Sequence, residues 1–331
     1  MNITYARDQY DHCEISDQIR EVTISTVEPA QNSDNLDNIR FEEVGWNIVS
    51  QKGLHHLGKK VVFIPPESLV PLEFSDLIGV TSYLSKGRVK VVRLRGNRSE
   101  GLIVNKDLVE PYIQYILKWV DLPSGSMGGD ALALSEVNIN FTKFYKMPNI
   151  LNEPFTFTSG ETLTYSEKIH GTNFRIAKLL HPETGIITLY VGSHNIALKD
   201  TGSNVYWRAA KLIADRLPEN ILFFGEIYGK GIQHLSYDVN FDVKLFAAKI
   251  NDEYVTPVCL TRICKQNDLP CVAFKRLIFE DIEQLRIIAD SSSEYTINNI
   301  REGAVFVSDS GRMAKCIGFE YLNSKNRIER H

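Results

Sequence analysis

Tyr165-Ser166-Glu167-Lys168-Ile169-His170-Gly171-Thr172-Asn173-Phe174 joins two runs of period-2 alternation through a short polar turn. Thr162, Thr164 and Ser166 alternate with Leu163 and Tyr165 on the way in, and apolar side chains alternate again over 174–180 on the way out. The pattern predicts a strand that ends at Lys168, a small loop, and a second strand. The spacing Lys-x-x-Gly means little by itself, because Lys199–Gly202 and Lys315–Gly318 repeat it. Only at Lys168 does a strand lead into the turn.

The chain is long enough, at 331 residues, for two domains that each bury a core. A hydrophobic fraction of 43% and a charged fraction of 24% are ordinary for a soluble globular protein. The formal net charge of −4 gives no global attraction to nucleic acid, so any such binding must come from a local patch. Cys13, Cys259, Cys264, Cys271 and Cys316 are odd in number and lack the Cys-x2-Cys spacing of a metal site. They fit free thiols in a reducing compartment. The N-terminus is polar and no apolar run approaches eighteen residues, so a cytoplasmic protein is expected rather than a secreted or membrane-spanning one.

Residues 20–115 read as short strands separated by Gly, Pro and Asn/Asp turns, with strands expected at 21–27, 45–50, 60–64 and 88–94. Such a series predicts a small barrel or sandwich. A linker rich in Gly and Ser is expected over 123–135, following an N-terminal module at 1–122 and preceding a second domain at 136–331. In that domain a hairpin is predicted over 174–180 and 186–193, a helix over 204–217 stopped by Pro218, and further strands at 221–227, 243–250 and 304–307. The order is α+β, without the βαβ alternation of a doubly wound sheet.

Four later elements carry chemistry. Glu226 lies in an otherwise apolar strand, which tolerates a carboxylate only when something compensates it. Phe246 lies in the next strand, Glu302 precedes another, and Lys315 sits in the last. A lysine amine attacks phosphorus only when deprotonated, so Lys168 as a nucleophile calls for a lowered pKa, supplied by burial, Lys315 and a divalent cation. Glu226 and Glu302 would hold that Mg²⁺ or, for Glu226, the ribose hydroxyls, and Phe246 would stack on a base.

The stretch 167–174 resembles the nucleotidyl-lysine motif of the ATP-dependent RNA ligases related to the phage T4 nick-sealing enzyme. The order Phe-Gly-Glu226, apolar strand, Glu302-Gly, lysine strand is similar to the later motifs of that superfamily. The segments 45–53, 58–64 and 92–101 resemble the OB-fold module of the Deinococcus and Naegleria type of RNA ligase. The resemblance implies an OB-fold-like barrel followed by an antiparallel-sheet, ATP-grasp-like nucleotidyltransferase domain, using ATP with Mg²⁺ or Mn²⁺. It also implies that Lys168 accepts AMP, that Glu167, Asn195, Glu226, Phe246 and Lys315 bind the nucleotide, and that Glu226 and Glu302 hold the metal. His170, Glu302 and Lys315 join Lys168 as catalytic residues, with His170 and Asn173 acting near the polynucleotide ends.

Three positions depart from the family pattern: His194 stands where Arg is usual, Met313 where the last motif has a first lysine, and Ala248 competes with Phe246 for the place of the stacking aromatic. The N-terminal module adds Lys86, Arg88, Lys90, Arg93, Arg95 and Arg98 without an acid among them. On a strand, Lys86, Arg88 and Lys90 would share one face, suited to tracking a phosphate backbone. The expected partner is RNA, or a nicked duplex with RNA on the 3′-OH side, bound by a monomer. Open alternatives are a DNA ligase or GTP-dependent capping enzyme of the same superfamily, both of which usually carry Asp in place of His170, and a nucleic-acid-binding protein without activity.

Overall fold

The computed structural model describes residues 3–6, 10, 13–119, 138–202, 204–297 and 300–328. The linker expected at 123–135 lies outside them. The chain divides into one unit of 1–122 with 149–155 and 322–331, and another of 123–148 with 156–321.

The first unit contains β1 (Arg20–Pro29), β2 (Leu36–Phe41), β3 (Ile48–Gln51), β4 (Lys60–Ile64), β5 (Ser68–Leu69), β6 (Val91–Leu94), β7 (Asn97–Glu100), β8 (Leu102–Val104) and β9 (Leu117–Lys118). It also holds helices α1 (Leu72–Leu77) and α2 (Lys106–Val109). The main sheet runs β3-β2-β1-β4-β8, with β6-β7 and β5-β9 as antiparallel pairs, giving a nearly closed antiparallel barrel. Val62, Ile64, Val70, Phe74, Val89 and Val104 fill it.

The basic run of this unit is not the solvent-facing ladder that alternation suggests. The strand begins only at Val91, and Arg88 and Lys90 are buried together with Val89 and Val91. Arg88 is ion-paired with Glu67, and its guanidinium lies 4.6 Å from the centre of the Trp119 ring. A planar guanidinium in a bidentate pair under an aromatic face is a core element here, not a phosphate contact. Lys86 falls in a turn at φ 53°. Arg93 and Arg95 are exposed, at and just beyond the end of β6.

The second unit holds two antiparallel sheets. One runs β16-β10-β17-β18 and is built from β10 (Thr162–Lys168), β16 (Lys275–Ile278), β17 (Gly303–Ser308) and β18 (Met313–Ile317). The other runs β12-β11-β13-β14-β15 and is built from β11 (Thr172–Leu180), β12 (Ile187–Gly192), β13 (Ile221–Tyr228), β14 (Asp242–Ile250) and β15 (Glu253–Tyr254). Helices α3 (Val205–Ile213) and α4 (Pro257–Gln266) cover one face of the second sheet, where Ala209, Ile213, Leu260 and Cys264 pack against Phe174, Ile176, Phe223 and Leu245. Helix α5 (Ile282–Ala289) packs against β17 and β18, and α6 (Phe319–Ile328) follows β18.

Only α3 is anticipated by the apolar periodicity. Of the others, α4 and α5 carry local start signals: Thr256 accepts from the Cys259 N–H with Pro257 in the first turn, and Asp281 accepts from the Gln284 N–H. All five cysteines are free thiols. Among the described residues no helix is long and apolar enough to cross a membrane.

Candidate active site

Lys168 is the last residue of β10, and β11 begins at Thr172 in the other sheet. The turn 169–171 therefore carries the chain from one sheet to the next. Gly171 is required there: a Cβ would stand 2.1 Å from the Ile227 carbonyl oxygen and 2.9 Å from Glu226 Cγ. Gly303, paired with Lys168, is constrained as tightly, because a Cβ would meet the Cys316 carbonyl oxygen at 2.1 Å. The glycines of His-Gly and Glu-Gly thus let backbones and the Glu226 side chain close around the lysine.

A cavity of about 270 Å³ is lined from both sheets. Glu167, Lys168 and Lys315 come from the first; Asn173, Glu226 and Phe246 come from the second. His194 and Met313 also line it. Six of the expected site residues thus meet at one wall or another. Asn195 does not; it is exposed in the turn beside His194.

A bulge in β14 explains Phe246. The register with β13 shifts so that Phe224 faces Ala247 while Gly225 faces Leu245, and Phe246 is the extra residue. Phe246 and Ala247 both reach the cavity, whereas Ala248 is fully buried in the core beneath the helices. Between Phe246 and Ala248, Phe246 is therefore the one that reaches the cavity, where it stands edge-on to Phe144 at 5.3 Å and shares the wall with Tyr145 and Phe274.

Lys168 Nζ lies 2.7 Å from Glu302 Oε1, and Glu302 Oε2 lies 3.3 Å from His170 Nδ1. Glu302 and His170 do not line the cavity: Glu302 bonds to Lys168, which does, and His170 bonds to Glu302. Burial alone would raise the Glu302 pKa; the Lys168 ammonium and the His170 contact outweigh it and hold the carboxyl at about 2. Glu226 has no such close partner. Burial pushes it up to about 8, with Glu302 adding to the rise and Lys168 and the Gly171 N–H opposing it.

These carboxylates also correct the expectation for Lys168. Burial pulls its pKa down, but the fields of Glu302 and Glu226 exceed that pull and raise it. In the protein alone, the lysine is held as an ammonium.

Glu167, adjacent on the strand, points elsewhere, as period-2 geometry demands. Its carboxylate accepts from Ser293 Oγ at 2.5 Å and the Glu294 N–H at 3.1 Å, and pairs with Arg301 at 3.3 Å. Burial nevertheless raises its pKa. The Glu167 side chain is thus an anchor for the segment before β17.

Two groups fit a nucleotide with a divalent cation. Asn173 Oδ1 is buried at the cavity without a hydrogen-bond partner, an acceptor that a ligand would satisfy. Glu226 and Glu302 supply two carboxylates, and the described residues offer no cluster of three or more His, Cys, Asp or Glu that would cage an ion by themselves. Mg²⁺ suits such a site, since it is commonly held by one or two carboxylates with substrate phosphates and water.

Residues 161–319 match the RNA ligase family. They include every residue of the cavity wall that follows β10's start and both carboxylates. The whole chain is similar in fold to a Naegleria gruberi RNA ligase solved with PPi, at 23% identity and a TM-score of 0.74, over 95% of this chain and 100% of that one. A variant of that enzyme solved with ATP and Mn gives 23% identity and a TM-score of 0.75 over 93% and 99%. Another, with AMP and Mn, gives the same identity, score and coverage. A search of curated proteins by sequence found no match. The family resemblance read from the lysine motif and the mixed α+β architecture are both borne out.

Sequence reasoning passed over several residues at this site. Arg175 is buried in β11 and donates to the carbonyls of Ser193, Phe141 and Thr142, tying together two segments at the cavity. Its only signal is an arginine in an apolar alternation. Tyr237 donates to the His170 carbonyl at 2.9 Å and accepts from the His170 N–H at 2.8 Å. Nothing in its neighbourhood marks it.

Proposed function

We propose that the protein is an ATP-dependent RNA ligase that seals 3′-OH/5′-phosphate ends, with Lys168 as the residue that accepts AMP. The observation that carries this reading is the position of Lys168 Nζ, on a nucleotide-sized cavity and 2.7 Å from Glu302, within a region that matches the RNA ligase family. ATP and Mn²⁺ or Mg²⁺ enter as the required ligands, supported by the Naegleria gruberi structures with ATP and Mn.

Lys168 must first shed the proton that Glu302 and Glu226 favour. Glu226 and Glu302 would hold a divalent cation, whose positive charge would compete with the ammonium and offset charge developing on the phosphate. The free amine then attacks the α-phosphorus; the phosphoramidate bond forms as the bond to pyrophosphate breaks. Lys315, on the same cavity, binds the α-phosphate, Phe246 packs on the base, and Glu226 meets the ribose or the ion's water shell. The 5′-phosphate of the polynucleotide next displaces Lys168 from the AMP phosphorus. Finally the 3′-hydroxyl attacks that 5′-phosphate and AMP leaves. The substrate is a nick with RNA on the 3′-OH side, with His170 and Asn173 serving the last two steps.

Incubation with Mg²⁺ and α-labelled ATP tests the reading. Acid-stable label is expected on the wild-type chain and not on Lys168→Ala. Absence of label from ATP on the wild type sinks the proposal, and label from GTP alone redirects it to capping chemistry.

A further inference from the structure

The loop between β13 and β14 holds the turn 169–171 at several points. Gln233 Nε2 donates to the Gly171 carbonyl at 3.3 Å, Tyr237 engages both backbone polar groups of His170, and His234 Nδ1 lies 3.0 Å from His170 Nε2. The two imidazoles are 4.4 Å apart at 61°, and the His234 ring stacks on Tyr321 at 5.5 Å and 28°. Tyr321 also places its hydroxyl 3.4 Å from His170 Nδ1.

His170 is therefore fixed at both ring nitrogens. Glu302, an acceptor, and the Tyr321 hydroxyl meet Nδ1; His234 meets Nε2. An imidazole that donates to a carboxylate through one nitrogen keeps a lone pair on the other, and that lone pair is what a neighbouring N–H can engage. None of His170, His234 and Tyr321 lines the nucleotide cavity. They cluster at the second oxygen of Glu302, while its first oxygen faces Lys168. His234 is exposed, so the cluster opens to solvent at this residue.

We propose that His234 is a positioning residue for the polynucleotide steps: braced by Tyr321, it sets the plane of the His170 ring beside the ends to be joined. The proposal rests on the ligase reading above and adds to it a residue outside the lysine motif. His234 acts through His170, so its removal should spare attack on ATP, which takes place on the cavity side, more than it spares sealing.

The test compares His234→Ala, His234→Asn and Tyr237→Phe in two assays: labelling of the chain by α-labelled ATP, and sealing of a nicked duplex that already carries AMP on its 5′ end. For His234→Ala, labelling is expected to fall by less than about threefold and sealing by about tenfold or more, the range of a lost supporting hydrogen bond at a reacting group. Asn keeps a polar atom near the place of Nδ1 and is expected to recover sealing to within about threefold. Tyr237→Phe releases the backbone that carries both Lys168 and His170, so it should depress both assays. Urea midpoints of the three variants establish that each is folded at the assay temperature. Equal losses in both assays for His234→Ala, unchanged sealing, or failure of Asn to recover it would each overturn the proposal. A wild-type chain that takes no label overturns the ligase reading and this inference with it.

Discussion

Glu226→Gln is expected to make the nucleotide-free protein more stable at neutral and alkaline pH while abolishing adenylylation. The Glu226 carboxyl is raised from 4.5 to about 8, first by burial. Because the folded-state pKa lies above the unfolded one, ionising this group opposes folding only above about pH 4.5, and the penalty grows until the pH passes about 8. Each unit of difference is worth about 1.4 kcal/mol, so between pH 4.5 and 7 the full penalty would reach about 3 kcal/mol. Partial exposure and relaxation reduce this to about 1–3 kcal/mol. Glutamine keeps an oxygen for the Gly171 N–H and removes the charge. Urea unfolding in EDTA at pH 5, 6, 7 and 8, followed by far-UV circular dichroism, measures the effect. The two proteins should have nearly equal stability at pH 5 and separate progressively to pH 8, with the variant higher. A variant of equal or lower stability at pH 8, or a difference that does not depend on pH, would refute the assignment of Glu226 as a destabilised buried carboxylate.

The opposite sign holds at Glu302. Its carboxyl is depressed to about 2, so its pairing stabilises the fold above about pH 4.5 and is lost as pH falls through about 2; Glu302→Gln should lower stability at pH 7 by about 2–4 kcal/mol in urea titrations, since it strands the Lys168 ammonium. Gly171→Ala, whose Cβ would stand 2.1 Å from a carbonyl oxygen, should lower stability by about 2–4 kcal/mol by the same measurement. In the first unit, Arg88→Met should change stability and leave the salt dependence of duplex binding intact. The exposed pair Arg93→Ala/Arg95→Ala should leave stability intact and reduce the slope of log K against log salt by about 1–2, read by fluorescence anisotropy.

The lysine turn was legible because three independent signals coincide at 162–180: alternation before, glycine within, alternation after. Strands β4, β13, β14 and β17 were legible for the same reason, being apolar runs bounded by turn residues. Helices α4 and α5 were missed although each opens on a capping residue, Thr256 and Asp281. The basic run failed for a physical reason: alternation shows which residues share a face, and not which face meets water. Arg88 and Lys90 share theirs with the barrel interior, where Glu67 and Trp119 make a buried guanidinium tolerable. Neither His234 nor Tyr321 has any local pattern, because each matters through a contact made 64 and 151 residues away from His170.

Strand register sets how far apart the two cavity lysines stand. Ser166 pairs with Val305 and Val305 pairs with Lys315, so these three share one face across β10, β17 and β18. Lys168 lies two residues beyond Ser166 on that same face. Two strand spacings across and two residues along put the Lys168 and Lys315 backbones about 12 Å apart. That is a span across which two lysine side chains can converge on one phosphate from opposite sides. Met313 continues the face by a further two residues and pairs with Val307, so a methionine in place of the family's lysine removes a charge farther from Lys168 than Lys315 is. In the proposed ligase, the departure at Met313 would therefore bear on capture of the outer phosphates and leave the chemistry at Lys168 to Glu226, Glu302 and Lys315.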